Sequence, residues 1–386
     1  MKKLIYRIYQ KILYVGTFFL NFKEPLLLKG TKSLEKISDI LGDRNINSVL
    51  LVTDANLVKL GLLNHLKEIL ESSNIKYSIY DETQPNPTIY QVDDAYKVYN
   101  DNNCQAVISV GGGSVIDLGK MVLVKAAYPK KSITKFKGIL KIHRKLPFHI
   151  AIPTTVGTGS EATLAAVVSN PDTHEKYAIM DTHLIPDVAI LSNEFVRNLP
   201  RNLIVETSMD ALTHAIEAYI GKSNTKKTKK YALEAIKLIL DNVESAYEKD
   251  EKSIEALHYA SYLAGVSFTR AYVGNVHAIA HTLGGFYNVP HGLANAIILP
   301  HVLSYYGNKI NEKIRSIEEY TNRKDLIQHI FMLNKKFNIP ENLNGLIKEE
   351  DIVVMIKRAL KEANPLYPVP VIFNDKDFLN IYHKIN

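Results

Sequence analysis

The chain has 386 residues, enough for two domains that each bury a core, and its 46% hydrophobic and 23% charged content excludes intrinsic disorder. A single cysteine, Cys104, excludes an internal disulfide and fits a reducing cytoplasm. The formal charge of +7 gathers in two lysine-rich stretches, 130–145 and 222–230, neither of which contains a nucleic-acid reading module, so both read as solvated surface.

The first 24 residues combine a basic start with many apolar side chains. Arg7, Gln10 and Lys11 interrupt the apolar run, and the uncharged piece from Ile12 to Asn21 is too short to span a bilayer. No integral membrane segment is expected. Ile5, Ile8, Tyr9 and Ile12 share one helical face, which predicts an amphipathic helix packed on the body or on a neighbouring subunit, with peripheral membrane contact as the alternative.

From Pro25 short apolar strands alternate with amphipathic helices, as in parallel α/β units. Residues 48–53 read as a buried strand ending at Asp54, which suits either the ribose hydroxyls of a dinucleotide or an N-cap for the helix from Leu57. A second strand, 106–110, runs into Gly111, Gly112, Gly113 and Ser114 and then a helix. Glycines there let backbone amides approach a diphosphate at a helix N-terminus. A third strand, 148–152, leads into Pro153-Thr154-Thr155-Val156-Gly157-Thr158-Gly159-Ser160-Glu161, and two such loops at one end of a parallel sheet would form a nucleotide crevice. The alternation ends near Leu191.

Beyond Pro200 the chain turns helical, with amphipathic segments at 204–220, 230–247, 254–268 and 352–363. Asp210 and His214, and then His277 and His281, are spaced i, i+4 on apolar helices, and His291 follows a glycine break. A carboxylate and imidazoles facing a core need a partner. A divalent cation such as Fe²⁺ or Zn²⁺ suits that N/O donor set, whereas each histidine taken singly also fits a hydrogen-bonded core position. Spacing does not select which of the three histidines bind.

The blocks D-A-L-T-H-A-I-E-A, H-A-I-A-H-T-L-G-G and P-H-G-L-A-N-A-I-I-L-P-H resemble the iron-containing (group III) alcohol dehydrogenases. G-G-G-S-V-I-D-L-G-K, P-T-T-V-G-T-G-S-E and Pro85-Asn86-Pro87-Thr88 resemble the same family. The resemblance covers roughly residues 25 to 386. It implies that Asp210, His214, His277 and His291 hold the metal, and that His281 is the unligated histidine placed to shuttle a proton. It implies that Gly112, Gly113 and Ser114 touch the diphosphate of NAD, and that Asn86, Thr154, Thr155 and Thr158 line the cofactor. Asp117 then faces the nicotinamide end, Lys176 reaches the ribose, Asp54 favours NAD over NADP, and Phe268 borders the substrate. Thr282 stands where many members have Pro, Ala165 where some have a polar residue, and the Pro-rich stretch 364–370 departs from the family pattern.

Together these imply an α/β plus all-α architecture of the dehydroquinate synthase-like type. An amphipathic extension (1–24) precedes a Rossmann-like parallel-sheet domain (25–197) and a helical bundle (198–386), with cofactor and metal facing each other across the cleft. The expected activity is reversible hydride transfer between a small alcohol or aldehyde and NAD(H), with Fe²⁺, or Zn²⁺ in its place, in a cytoplasmic homodimer that binds no nucleic acid. A cyclising lyase of the dehydroquinate synthase type, a zinc polyol dehydrogenase and a silent metal- and nucleotide-binding protein are the rival expectations.

Overall fold

Runs in which nearly every side chain is buried form the centre of the α/β unit, where parallel strands covered on both faces require unbroken apolar sequence. In the computed structural model, which describes residues 2–173 and 175–386, these runs are β2 (Ser48–Val52), β4 (Ala106–Gly111), β6 (Phe148–Pro153) and β9 (Val188–Leu191). The more exposed strands β1 (Leu26–Lys29) and β3 (Lys76–Tyr80) form the two edges, and the order β1-β9-β6-β4-β2-β3 is parallel throughout. Alternation across the pleat divides the core. Val49, Leu51, Ile108, Ile150 and Ile190 meet one face's helices, while Leu50, Val52 and Val107 face the other.

Ahead of this sheet lies α1 (Lys2–Gly16), and around it run α2 (Lys36–Gly42), α3 (Ala55–Lys59), α4 (Asn64–Ser72), α5 (Ile89–Asp101) and α6 (Gly113–Ala127). The chain passes from β2 outward to β3 and then back across β2 to β4, so the order reverses between β2 and β4. Ligand crevices in open α/β sheets lie outside the carboxyl ends of strands at such a reversal. Asp54 and the 111–114 turn are the residues that leave β2 and β4 there.

A second sheet was not foreseen from the sequence: β5 (Gly138–Ile139) pairs parallel with β8 (Glu175–Met180), and β8 pairs antiparallel with β7 (Ala165–Asn170). Its strands alternate only partly in burial, and β5 is two residues long, so no strong period marks it.

The helical unit begins at Pro200, the N-cap residue of α7 (Arg201–Ile220), and continues through α8 (Lys226–Tyr247), α9 (Glu251–Ala271), α10 (Asn275–Tyr287) and α11 (His291–Tyr306). It closes with α12 (Asn311–Thr321), α13 (Leu326–Lys336), α14 (Glu349–Ala363) and α15 (Asp375–Ile385). Helix α7 is buried almost all round from Ser208 to Ile220 and packs against α8, α9 and α11. A helix buried on every side is a core element.

The chain divides into two compact units. One unit comprises Phe22–Leu199, and the other joins Met1–Asn21 to Pro200–Asn386. The reason lies in α1, whose Arg7 donates to Val369 O and Pro370 O and whose Gln10 donates to Pro365 O and Tyr367 O. The stripe Ile5, Ile8, Tyr9 and Ile12 is exposed on this chain and does not pack on its own body.

Candidate functional site

Helix α7 places Asp210 and His214 one turn apart on its buried side. His277 lies in the first turn of α10, and His291 opens α11. One donor atom from each of these four residues lies within 4.8 Å of the others. From Asp210 Oδ1 the distances are 3.9 Å to His214 Nδ1, 3.7 Å to His277 Nε2 and 3.6 Å to His291 Nε2. Asp210, His214 and His277 are buried, whereas the His291 side chain is 40% exposed and leaves the cluster open on one side.

Two glycines make this convergence possible. A Cβ on Gly292 would meet Glu206 O at 2.3 Å, so only glycine lets the start of α11 approach the α7 backbone one turn before Asp210. A Cβ on Gly274 would meet Glu217 Oε1 at 2.6 Å. Glu217 is the carboxylate beneath His277. It accepts from His277 Nδ1 at 2.6 Å and from the amides of Gly274 and Val276, each at 2.8 Å. With Nδ1 held against Glu217, Nε2 is the nitrogen that faces the cluster and is the one free to bind a cation once deprotonated.

The electrostatics fit a cation. Burial pushes the Asp210 carboxyl up, but His214, His291 and His277 outweigh it and hold it well below the usual carboxylate range. Burial likewise opposes charge on His277, yet Asp210 and Glu217 push the imidazole up to about 9. Two buried carboxylates thus draw positive charge into the cluster. Asn295, one turn into α11, aims Nδ2 at the same point, 2.7 Å from Asp210 Oδ1 and 3.2 Å from Nε2 of both His277 and His291. N and O atoms that converge on one point are also the arrangement a divalent ion satisfies.

His281 stands beside the cluster, its ring stacked on His291 at 5.1 Å, and its Nδ1 is 2.6 Å from Glu362 Oε1. Tyr367 donates to the same Glu362 oxygen at 2.8 Å. Phe268 stacks on His214 at 4.2 Å. Thr282 keeps α10 unbroken where proline was the expected family residue, bonding Ile279 O and the Tyr382 hydroxyl at 2.7 Å each.

In the α/β unit, Asp54 caps α3 through Oδ1, accepting from Asn56 N at 3.0 Å and Leu57 N at 3.2 Å, so the capping alternative is realised. The turn after β4 starts α6, whose first N–H groups have no intrahelical acceptor. A Cβ on Gly113 would meet Thr158 Cγ2 at 3.0 Å, and one on Gly112 would meet Thr155 Cγ2 at 3.4 Å. The two glycines are therefore cradled by the 153–161 loop. Thr155 Oγ1 is buried with no hydrogen-bond partner among the described residues. Thr154 N donates to Gly111 O at 3.1 Å. Asn86 joins this group through a bond from its amide to Ser114 Oγ at 3.3 Å, and Lys176 donates to Asn86 Oδ1. An orphaned hydroxyl, a bare glycine turn and an adjacent ammonium fit a diphosphate.

Asp117 accepts from Ser160 Oγ at 2.7 Å and from Val167 N at 2.9 Å. Behind it Lys120 is fully buried and donates to Ser160 O, Thr163 O and Ala165 O at 2.8, 3.1 and 2.7 Å. Lys120 thereby ties the loop that carries Thr155 and Thr158 to α6.

Residues 25–193 match the model of iron-containing alcohol dehydrogenases, and residues 204–386 match the C-terminal model of the same family. The chain belongs to the iron-containing alcohol dehydrogenase family. Alcohol dehydrogenase 4 of Saccharomyces cerevisiae is 35% identical over 370 residues, 93% of this chain and 96% of the relative. The crystal structure of a 1,3-propanediol oxidoreductase superposes with a TM-score of 0.90 at 32% identity, covering 95% of this chain and all of that one. A sulfoacetaldehyde reductase from Bifidobacterium kashiwanohense, solved with NAD⁺, gives 0.84 at 26% identity over 95% and 98%. As an iron-type alcohol dehydrogenase, the chain interconverts an alcohol and its carbonyl compound.

Reading the sequence did not single out Glu217, Asn295, Lys120 or Glu362. Three had a signal: Glu217 lies two turns after Asp210, Asn295 one turn after His291, and Lys120 sits in the G-G-G-S-V-I-D-L-G-K block. Glu362 is 81 residues from His281 and had none.

Proposed function

We propose that Asp210, His214, His277 and His291 hold one divalent ion, Fe²⁺ in keeping with the family and with Zn²⁺ acceptable to the same donors. The α/β unit holds NAD(H) through Gly112, Gly113, Ser114, Asn86, Thr154, Thr155, Thr158 and Lys176, with Asp54 disfavouring a 2′-phosphate. Asp117 acts through the 153–161 loop. When bound, the ion supplies Lewis-acid polarisation of the substrate oxygen, and the dinucleotide carries the hydride.

The chain's own part is orientation and proton handling. Glu217 fixes the His277 tautomer, and Asn295 keeps the donor atoms convergent. His281, backed by Glu362, passes the alcohol's proton outward during oxidation and returns it during reduction. Phe268 holds His214 flat and borders the substrate. The substrate class is a primary alcohol or diol and the corresponding aldehyde. Among the described residues no helix is long and apolar enough to cross a membrane; the cytoplasmic location is proposed on the single cysteine, Cys104. A homodimer is proposed on the family resemblance alone.

The observation that carries this reading is the gathering of four donor atoms within 4.8 Å. Anaerobically purified protein, loaded with Fe²⁺ and screened against aldehydes and diols with NADH and NADPH, tests it. Turnover with NADH preferred is expected, and no turnover across a broad panel would overturn it.

A further inference from the structure

Helix α1 is attached to its unit by its polar side. Arg7 donates to Val369 O at 2.7 Å and Pro370 O at 3.0 Å, and buried Gln10 donates to Tyr367 O at 2.7 Å and Pro365 O at 3.1 Å. At the helical pitch, Leu4, Ile5, Ile8, Ile12 and Val15 fall on the opposite side, where they are 65%, 56%, 51%, 66% and 57% exposed. Phe18 and Phe19 continue the patch just beyond the helix, at 58% and 86% exposed. An amphipathic helix that folds onto its own core does the reverse, burying the apolar stripe and wetting the polar one.

Charge says what covers the apolar side. Lys2, Lys3 and Lys11 are exposed, Lys23 follows, and no acidic residue occurs before Glu24. Around the helix Lys2 and Lys11 flank the apolar arc on its two sides. Self-association through this face would set the lysines of one copy against those of another, with no carboxylate in the segment to neutralise them. A helix of 15 residues is about 22 Å long, too short to cross a bilayer but suited to lying along one.

We propose that α1 docks the enzyme on an anionic lipid surface. The helix lies parallel to the membrane, Ile5, Ile8, Ile12 and Val15 enter at headgroup depth, and Lys2 and Lys11 meet lipid phosphates. Arg7 and Gln10 remain engaged with residues 365–370, so docking needs no rearrangement of that attachment.

The test is flotation of the full-length protein with vesicles of phosphatidylcholine, with and without phosphatidylglycerol. The protein should float only with the anionic vesicles at ~0.1 M salt and be released at ~0.5 M. Ile8→Glu combined with Ile12→Glu should abolish flotation while aldehyde reduction is unchanged, because neither residue touches the site. Should that variant fold poorly, the surface changes Lys2→Gln and Lys11→Gln should together weaken vesicle binding on the order of thirtyfold. The proposal is overturned if the wild type stays unbound with anionic vesicles, or if the glutamate variant floats as well as wild type. It is overturned too if that variant merely dissociates an oligomer in sedimentation equilibrium with no change in vesicle binding, since the face would then belong to a second copy.

Discussion

His277 Nδ1 lies 2.6 Å from Glu217 Oε2, with both side chains only 2% exposed. A buried imidazole so held presents its other nitrogen in one tautomer and one orientation, which is what a metal ligand requires. Glu217→Gln keeps the size but weakens the acceptor, and it should reduce iron affinity roughly 10- to 100-fold. Competition with a chelator, read as iron retained per chain, measures this; unchanged retention would show that Glu217 only packs.

The approach of α11 to α7 sets a second expectation. A methyl group at Gly292 would lie 2.3 Å from Glu206 O, a backbone atom that cannot swing aside. Gly292→Ala should lower stability by about 1–3 kcal/mol and weaken iron binding, because His291 is the adjacent residue. Urea unfolding of the metal-free protein reports the first effect and iron retention the second.

His281 and Glu362 form a pair beside the cluster of Asp210, His214, His277 and His291 without belonging to it. His281→Ala should lower kcat for alcohol oxidation by ~10²-fold while iron content stays at the wild-type level. Glu362→Gln should lower it less, since the imidazole remains but its orientation is no longer fixed. Unaltered kcat in both would leave the proton to another route.

Glu161 gives the fold a pH dependence of its own. Burial pushes this carboxyl from 4.5 up to about 7, so across that interval the folded chain holds a proton that the unfolded chain has released. Stability therefore falls as pH rises through the window, by roughly 3 kcal/mol for a shift of this size. Glu161→Gln cannot titrate and should lack that slope. Urea unfolding of both metal-free proteins from pH ~5 to ~7 compares them directly, and parallel slopes would contradict the assignment.

Much of the site was legible because it is built from local periods. Asp210 with His214, and His277 with His281, declare themselves as i, i+4 pairs, and the glycine turn after β4 declares a strand-to-helix junction. The paired strands β7 and β8 were missed because their burial alternates weakly. The hydrogen bonds of Asp117 to Ser160 and Val167 were not foreseen, because these partners lie more than forty residues away. For α1 the sequence left the body, a neighbouring subunit and a membrane surface open; what it did not show is that two polar side chains find carbonyl acceptors in the 365–370 segment, whose folded path no local period announces.

The account rests on one ion shared by two separated parts of the helical unit. Anaerobic loading with Fe²⁺, removal of loose metal and quantification of iron per chain in the wild type, Asp210→Ala and His277→Ala test that directly. One iron per wild-type chain and almost none in either variant is the predicted result. Wild-type protein without iron, or variants that keep a full equivalent, would contradict it.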